Sequence, residues 1–352
     1  MDKALLVDNE KLVTKFGAKR MSTLKQLPDC YTFQKGLIYS HRDFDTFYAA
    51  LKRGEKCAIV SGVNASGTLH IGHKVVFDTN LFFQKEFGIP VFIPISDDES
   101  YVSGKVESQE EALKYSIELA KELIAYGFDP KKTFIIIDQI YTPIYNLAIK
   151  LSRRITMSEI ISTYGYKKDD NPGLYFYPAV QAAHVLFPQA LHGIKHVLVP
   201  IGPDEDAHLR IARDIAGRAG YVKPSVLHLR FLPGLDGKKM SKSRNNGIYF
   251  RDTAEILKKK VNKALSGGRK TVEEHRKKGG DPNKDMACFY LTNLFLDDND
   301  SKALIRDYKK GTLLSGEMKK NFYNVLVDFC GTFQKKLSKI TRAQLDKALL
   351  KP

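Results

Sequence analysis

Lys56-Cys57-Ala58-Ile59-Val60-Ser61-Gly62-Val63-Asn64-Ala65-Ser66-Gly67-Thr68-Leu69-His70-Ile71-Gly72-His73-Lys74 changes character twice along its length. The apolar run Cys57 to Val60 has no polar alternation, as in a parallel strand buried on both faces. Ser61-Gly62 breaks that run, a small-residue loop follows, and from about Leu69 the pattern turns helical. His70 and His73, three apart, share one face of the first helical turn. Gly72 between them removes a side chain where something flat must lie close to the backbone. Free backbone N–H groups at a helix start favour anions, so phosphate is the natural guest.

Far downstream stands a second stretch, Gly237-Lys238-Lys239-Met240-Ser241-Lys242-Ser243. It follows the apolar run Val226 to Leu232 and lies in a Gly-, Lys- and Ser-rich segment with the composition of a loop. Two lysines three apart on a mobile loop suit a triphosphate that must be gripped harder at the transition state than at rest. Read alone, either stretch is a common local pattern.

Together and in this order, they resemble the paired signatures of the class I aminoacyl-tRNA synthetases. The resemblance implies a Rossmann-type parallel-sheet catalytic domain with ATP across its switch point, followed by an all-α C-terminal domain. It places Gly62, His70, Gly72 and His73 on the nucleotide. It also makes Lys239, Met240, Ser241, Lys242 and Ser243 the loop that closes over the leaving pyrophosphate. Within that set, His70, His73, Lys239 and Lys242 are the catalytic candidates. Gly202 and Asp204, in Gly202-Pro203-Asp204-Glu205-Asp206, look like the element that meets the ATP ribose, although Glu205 stands where a glutamine is usual.

Two further stretches bear on the amino acid. Val91-Phe92-Ile93-Pro94-Ile95 reads as a parallel strand ending in Ser96-Asp97-Asp98-Glu99, where α/β enzymes place ligand groups. Within Tyr175 to His184, with Pro178 expected at a first helical turn, Tyr177, Gln181 and His184 share one face. Both stretches resemble tryptophanyl enzymes of the eukaryotic and archaeal type. That resemblance makes Glu99, Tyr177, Gln181 and His184 the amino-acid-binding candidates, with Gln181 on the substrate's ammonium group. Neutral His184 could accept an indole N–H. The rival is the tyrosyl branch, which typically has an aspartate in the place of His184 to read a phenol hydroxyl.

Working outward, the chain of 352 residues is long enough for about two domains. The organisation expected is an N-terminal extension over 1–55, a catalytic domain over 56–250 with an insertion at about 105–190, and a helical anticodon-binding domain over 251–352. Within the extension, Phe44, Phe47, Tyr48 and Leu51 predict a helix capped by Ser40 or Asp43, with His41 an exposed polar residue beside it. Phe134 to Asp138 and His196 to Gly202 predict further strands. Ile256, Leu257, Val261 and Leu265 predict the buried face of a basic helix.

The formal net charge of +16 predicts a polyanionic partner and salt-sensitive binding. Cys30, Cys57, Cys288 and Cys330 form no Cys-x-x-Cys pair, which argues against a zinc site or a disulfide framework, and no metal ligands are assigned. No apolar run approaches a membrane span, and the first residues do not read as a signal peptide, so a cytoplasmic location is expected. The resemblance adds ATP with Mg2+, L-tryptophan, tRNA(Trp) and a homodimer. A small-molecule nucleotidyltransferase could share the histidine stretch but would not need a long basic helical tail. A catalytically silent RNA-binding relative would lose the lysine loop.

Overall fold

The computed structural model describes residues 10–240 and 244–352, so Ser241, Lys242 and Ser243 lie outside the described residues. The chain forms two compact units. One, built on a sheet, takes in the described residues up to Thr68 together with Val76–Arg230 and Lys339–Pro352. The other, helical, takes in Leu69–Val75 and Phe231–Ser338.

The sheet unit contains β1 (Lys19–Arg20), β2 (Ile38–Arg42), β3 (Cys57–Val60), β4 (Val63–Asn64), β5 (Val91–Ser96), β6 (Thr133–Ile137), β7 (His196–Ile201) and β8 (Ser225–Leu229). Their order is β1-β2-β8-β7-β3-β5-β6, with β4 continuing from β3 along the same edge of β5. Strands β3, β4, β5, β6, β7 and β8 are mutually parallel, and β2 runs against them, pairing antiparallel with β8 on one side and with β1 on the other. From β3 the chain builds first through β5 and β6, then on the other side through β7 and β8. The order therefore reverses between β3 and β7, which is where a doubly wound sheet opens a crevice for ligands.

The apolar runs explain the strands. Phe92, Ile93 and Ile95 of β5 are fully buried, as are Ile135, Ile136 and Ile137 of β6, so these strands have no solvent face to fill with polar residues. Pro94 has a structural consequence here. Pro90, just before β5, and Phe92 within it accept the N–H groups of Ile59 and Ser61, so position 94 faces the same neighbour and, as proline, offers it no donor. The β3 pairing stops at that point, at Ser61-Gly62, and the loop toward His70 begins.

Several expectations change. Residues before 56, expected as an extension, supply β1 and β2 to the sheet edge and the helix Phe44–Lys52 to the same unit. Ser40 lies in β2 and meets His228, and the Asp43 side chain makes no cap bond, turning instead to Arg213. The cap is His41, fully buried, whose Nδ1 accepts the Phe44 N–H at 3.2 Å. The stretch 105–190 is only partly an insertion, because it carries β6 and the helix Gln109–Tyr126 that leads into it. Pro178 lies inside a longer helix, Pro172–His192, which Asn171 caps from upstream by accepting the Leu174 N–H.

In the helical unit, Leu257 and Val261 pack within a core that also holds Met318, Phe322, Leu326, Cys330 and Phe333 of the helix Ser315–Leu337. Ile256 and Leu265, expected on that buried face, stay exposed. The last residues, expected with the helical domain, return to the sheet unit, where Leu349 bridges to Ile135 and the Leu350 N–H donates to its carbonyl. Among the described residues no helix is long and apolar enough to cross a membrane, and the four cysteines are free and buried.

Candidate active site

Within the helical unit, the histidine stretch is tied by its backbone to the segment that follows the lysine loop. His70 forms an antiparallel bridge with Tyr249, the Ile71 N–H donates to Ile248 O at 2.8 Å, and the Phe250 N–H donates to Leu69 O at 3.0 Å. Residues 69–71 are thus stitched to the strand-like segment that leaves the lysine loop. The helix Gly72–Phe87 starts at once after this pairing.

Both imidazoles are set by backbone donors. The His70 N–H points to His73 Nδ1 at 3.1 Å, and the Gly72 N–H points to His70 Nδ1, also at 3.1 Å. A ring nitrogen that accepts carries no hydrogen, so His70 keeps its hydrogen on Nε2, the tautomer that can donate to a phosphate oxygen, whereas His73 Nδ1 also lies 3.3 Å from the His70 carbonyl oxygen, to which the other tautomer would donate. The rings lie 4.0 Å apart. Burial, then the neighbouring His70, pushes the His73 pKa down to about 3, so His73 acts as a neutral donor. The flat group over Gly72 is His70 itself, since a Cβ at 72 would sit 2.7 Å from its Cε1.

The lysine loop rises from a tight turn. Pro233 bridges to Lys239, the Gly234 N–H donates to Lys238 O at 2.7 Å, and Gly237 takes a φ of +76°. Asp236 holds the turn by accepting from the Lys238 N–H at 3.0 Å and from Asn246 Nδ2 at 2.8 Å. The exposed Lys239 ammonium lies 4.7 Å from the centre of the Phe231 ring, and Met240 packs where a Cβ on Gly247 would fall.

The sheet unit carries the other candidates. Gly62 and Gly202 follow the C-terminal ends of β3 and β7, the two strands between which the order reverses. A Cβ on Gly62 would meet only Pro94, at 3.6 Å, so packing does not require glycine there. Asp204 is exposed. Glu99 is held by Lys105 at 2.7 Å and by Asn64 at 2.7 Å.

On the helix Pro172–His192, the Tyr177 hydroxyl donates to Ser96 Oγ at 3.1 Å. The Gln181 side chain accepts from the Tyr164 hydroxyl at 2.7 Å and donates to Glu205 at 3.4 Å. Tyr164 stacks on His208, ring centres 4.2 Å apart, and His208 bonds Glu205 at 2.9 Å. Burial alone would raise the Glu205 pKa, but the His208 bond and charge and the Gln181 amide outweigh it and hold the carboxyl below its usual range. The residue that departs from the family element is therefore a carboxylate held beside the amide expected to receive an ammonium group.

One pair went unread in the sequence. His184, almost fully buried, faces Asp138, with Nε2 2.7 Å from Oδ1. Burial lowers the His184 pKa to about 4. Asp138 follows β6, and its place at the C-terminal end of a parallel strand was the only signal in the sequence.

The fold and this arrangement define a class I aminoacyl-tRNA synthetase. The chain belongs to the tRNA synthetases class I (W and Y), whose family model matches residues 52–330. It is an ATP-using ligase. Tryptophan–tRNA ligase 2 of Halobacterium salinarum is 40% identical over 338 residues, 94% of this chain and 87% of the relative. The tryptophan–tRNA ligase of Methanocaldococcus jannaschii is 35% identical over 344 residues, 94% of this chain and 92% of its own. Tryptophanyl-tRNA synthetase from Aeropyrum pernix superposes with a TM-score of 0.89 at 32% identity, covering 99% and 97% of the two chains.

Proposed function

We propose that this chain is a tryptophan–tRNA ligase, activating L-tryptophan with ATP and passing it to tRNA(Trp). The observation that carries the amino acid is the likeness, over nearly whole chains, to tryptophan–tRNA ligases from archaea and eukaryotes. The pocket supports it. Position 184 offers a neutral imidazole, an acceptor for an indole N–H.

In the first step a carboxylate oxygen of tryptophan attacks the α-phosphorus of ATP, which enters as its Mg2+ complex. The bond to the bridging oxygen breaks and pyrophosphate leaves with the electron pair. No side chain has to act as nucleophile or base, so the rate comes from positioning and charge stabilisation. His70, through its Nε2–H, and the neutral imidazole of His73 bind phosphate oxygens, with Gly72 allowing close approach. Lys239 and Lys242 stabilise charge on the leaving pyrophosphate, within the loop Lys239-Met240-Ser241-Lys242-Ser243. Gly62, Gly202 and Asp204 serve the nucleoside. Gln181, with Glu205 behind it, takes the substrate ammonium, Tyr177 and Glu99 line the pocket, and His184 accepts the indole N–H. In the second step a hydroxyl of the tRNA's terminal adenosine attacks the acyl carbon and AMP leaves. A homodimer in the cytoplasm completes the reading.

The test is pyrophosphate exchange with each of the twenty amino acids offered separately. Tryptophan alone should stimulate it. Stimulation by tyrosine instead overturns the substrate, and none by any amino acid overturns catalysis.

A further inference from the structure

Behind His184 lie three carboxylates with too little charge to balance them. One oxygen from each of Asp97, Asp98 and Asp138 falls within 4.8 Å of the others. Asp97 is satisfied, accepting from the Asp138 N–H at 3.0 Å and from Gln139 Nε2 at 2.7 Å. Asp98 accepts the Glu99 N–H at 2.6 Å and lies 3.4 Å from the Tyr145 hydroxyl. Asp138 is fully buried, with Oδ1 on His184, while Oδ2 has no hydrogen-bond partner among the described residues.

The groups facing this cluster come from four elements. Asp97 and Asp98 sit on the helix Asp97–Val102, Asp138 and Gln139 follow β6, Tyr145 is on the helix Pro143–Ser152, and His184 is on the helix Pro172–His192. Among the described residues no lysine or arginine figures among the groups that shift the Asp98, Asp138 or His184 pKa, and Lys105, which reaches this helix, is committed to Glu99. Three adjacent carboxylates cannot all be anions there.

We propose that one proton is shared by Asp98 and Asp138, carried on Asp98, and that it fixes His184 as the tautomer with hydrogen on Nε2. A hydrogen on Asp98 donated to Asp138 Oδ2 satisfies the orphan oxygen. Asp138 then remains an anion and takes the Nε2–H of His184 at Oδ1. The imidazole is left with its lone pair on Nδ1, the acceptor that an indole N–H requires. Were the proton on Asp138 toward His184, the ring would carry its hydrogen on Nδ1 and could only repel that donor. Burial, followed by the Asp138 charge, pushes the Asp98 pKa up to about 8, and burial also raises that of Asp138 well above its ordinary value, so the pair holds a proton at neutral pH. Asp98 and Asp138 are thus positioning residues acting through His184. The role given to Nδ1 rests on the reading of the pocket under Proposed function.

The test pairs a spectrum with kinetics. In 15N spectra of the wild-type enzyme, the His184 signals (identified by their loss in His184→Gln) should show Nε2 protonated and Nδ1 bare from pH 6 to about 8. In pyrophosphate exchange, the KM for tryptophan should be flat over that range and then rise by up to about tenfold per pH unit as Asp98 ionises, with kcat little changed. Asp98→Asn keeps a donor to Asp138, so its KM at pH 7 should stay within about threefold of wild type and the rise should vanish. The loss of the proton from tryptophan's own ammonium is common to both enzymes and drops out of the comparison.

A hydrogen on Nδ1, or an Asp98→Asn enzyme that keeps the wild-type rise, overturns the proposal. The spectrum needs no folded Asp98 variant. If His184→Gln leaves the KM for tryptophan unchanged while the tautomer is as stated, the reading of the pocket fails and the shared proton stands.

Discussion

Gly72 has no freedom to become anything larger while His70 lies over it. An added Cβ would stand 2.7 Å from the imidazole carbon, well inside contact distance, so the ring must swing away. Misplacing a reacting group by about 1 Å can cost about 100-fold. Gly72→Ala should therefore lower kcat/KM for ATP by about 10- to 100-fold in pyrophosphate exchange, while the KM for tryptophan holds. A second expectation concerns charge. With its pKa lowered to about 3, His73 gains no proton between pH 5 and 8. The pH profile of kcat/KM for ATP should show no ionisation in that range that disappears in His73→Asn. At this scale the sequence was informative about type and silent about partner. Spacing showed that something flat crosses residue 72, but the flat thing is a neighbour's ring, which only the turn geometry reveals. Likewise Asp138 read as a strand end, because its partner His184 comes from a distant helix.

Among elements, β2 shows what pattern reading misses. Ile38-Tyr39-Ser40-His41-Arg42 has neither an apolar run nor clean alternation, since its polar side chains are answered by partners far along the chain. Arg42 reaches Asp206 through Nε at 2.7 Å and Nη2 at 2.8 Å, and His228 adds a bond of 2.9 Å to the same carboxylate. Burial would raise the Asp206 pKa, but these bonds and charges reverse that and hold it far below the usual range. Breaking a buried pair of this kind costs about 3–5 kcal/mol, because it strands a charge. Arg42→Ala should lose about that much in urea unfolding at pH 7. The sign follows from the lowered pKa: the stabilisation is fully present above the unfolded aspartate's value of 3.8, declines below it, and is lost as pH falls through the much lower folded value. The difference between wild type and variant should therefore shrink below about pH 4. The helix Pro172–His192 was legible in its face and not in its start, because Pro178 mimics a first turn that Asn171 and Pro172 supply six residues earlier. In the lysine loop, Lys239→Ala and Lys242→Ala should each lower kcat of exchange by about 10²- to 10³-fold, as loss of a transition-state charge partner does.

For the whole molecule, the net charge of +16 predicts a contrast between two assays. Neutralising several phosphates makes affinity fall steeply with salt. Raising salt from about 50 to 200 mM should raise the KM for tRNA by at least tenfold and change the KM for tryptophan by less than about twofold. The parallel sheet was legible as a class because its strands are short and wholly apolar. The unit boundaries were not, because a compact unit need not be continuous in sequence.

That discontinuity constrains anyone who would recombine this enzyme with a relative. The helical unit borrows Leu69–Val75 from the early chain, and the backbone of residues 248–250 is hydrogen-bonded to that loan. A hybrid spliced at residue 230 alone inherits a graft whose inner edge was shaped against another parent's heptapeptide. Carrying 69–75 across with it is the smallest exchange that leaves that edge matched.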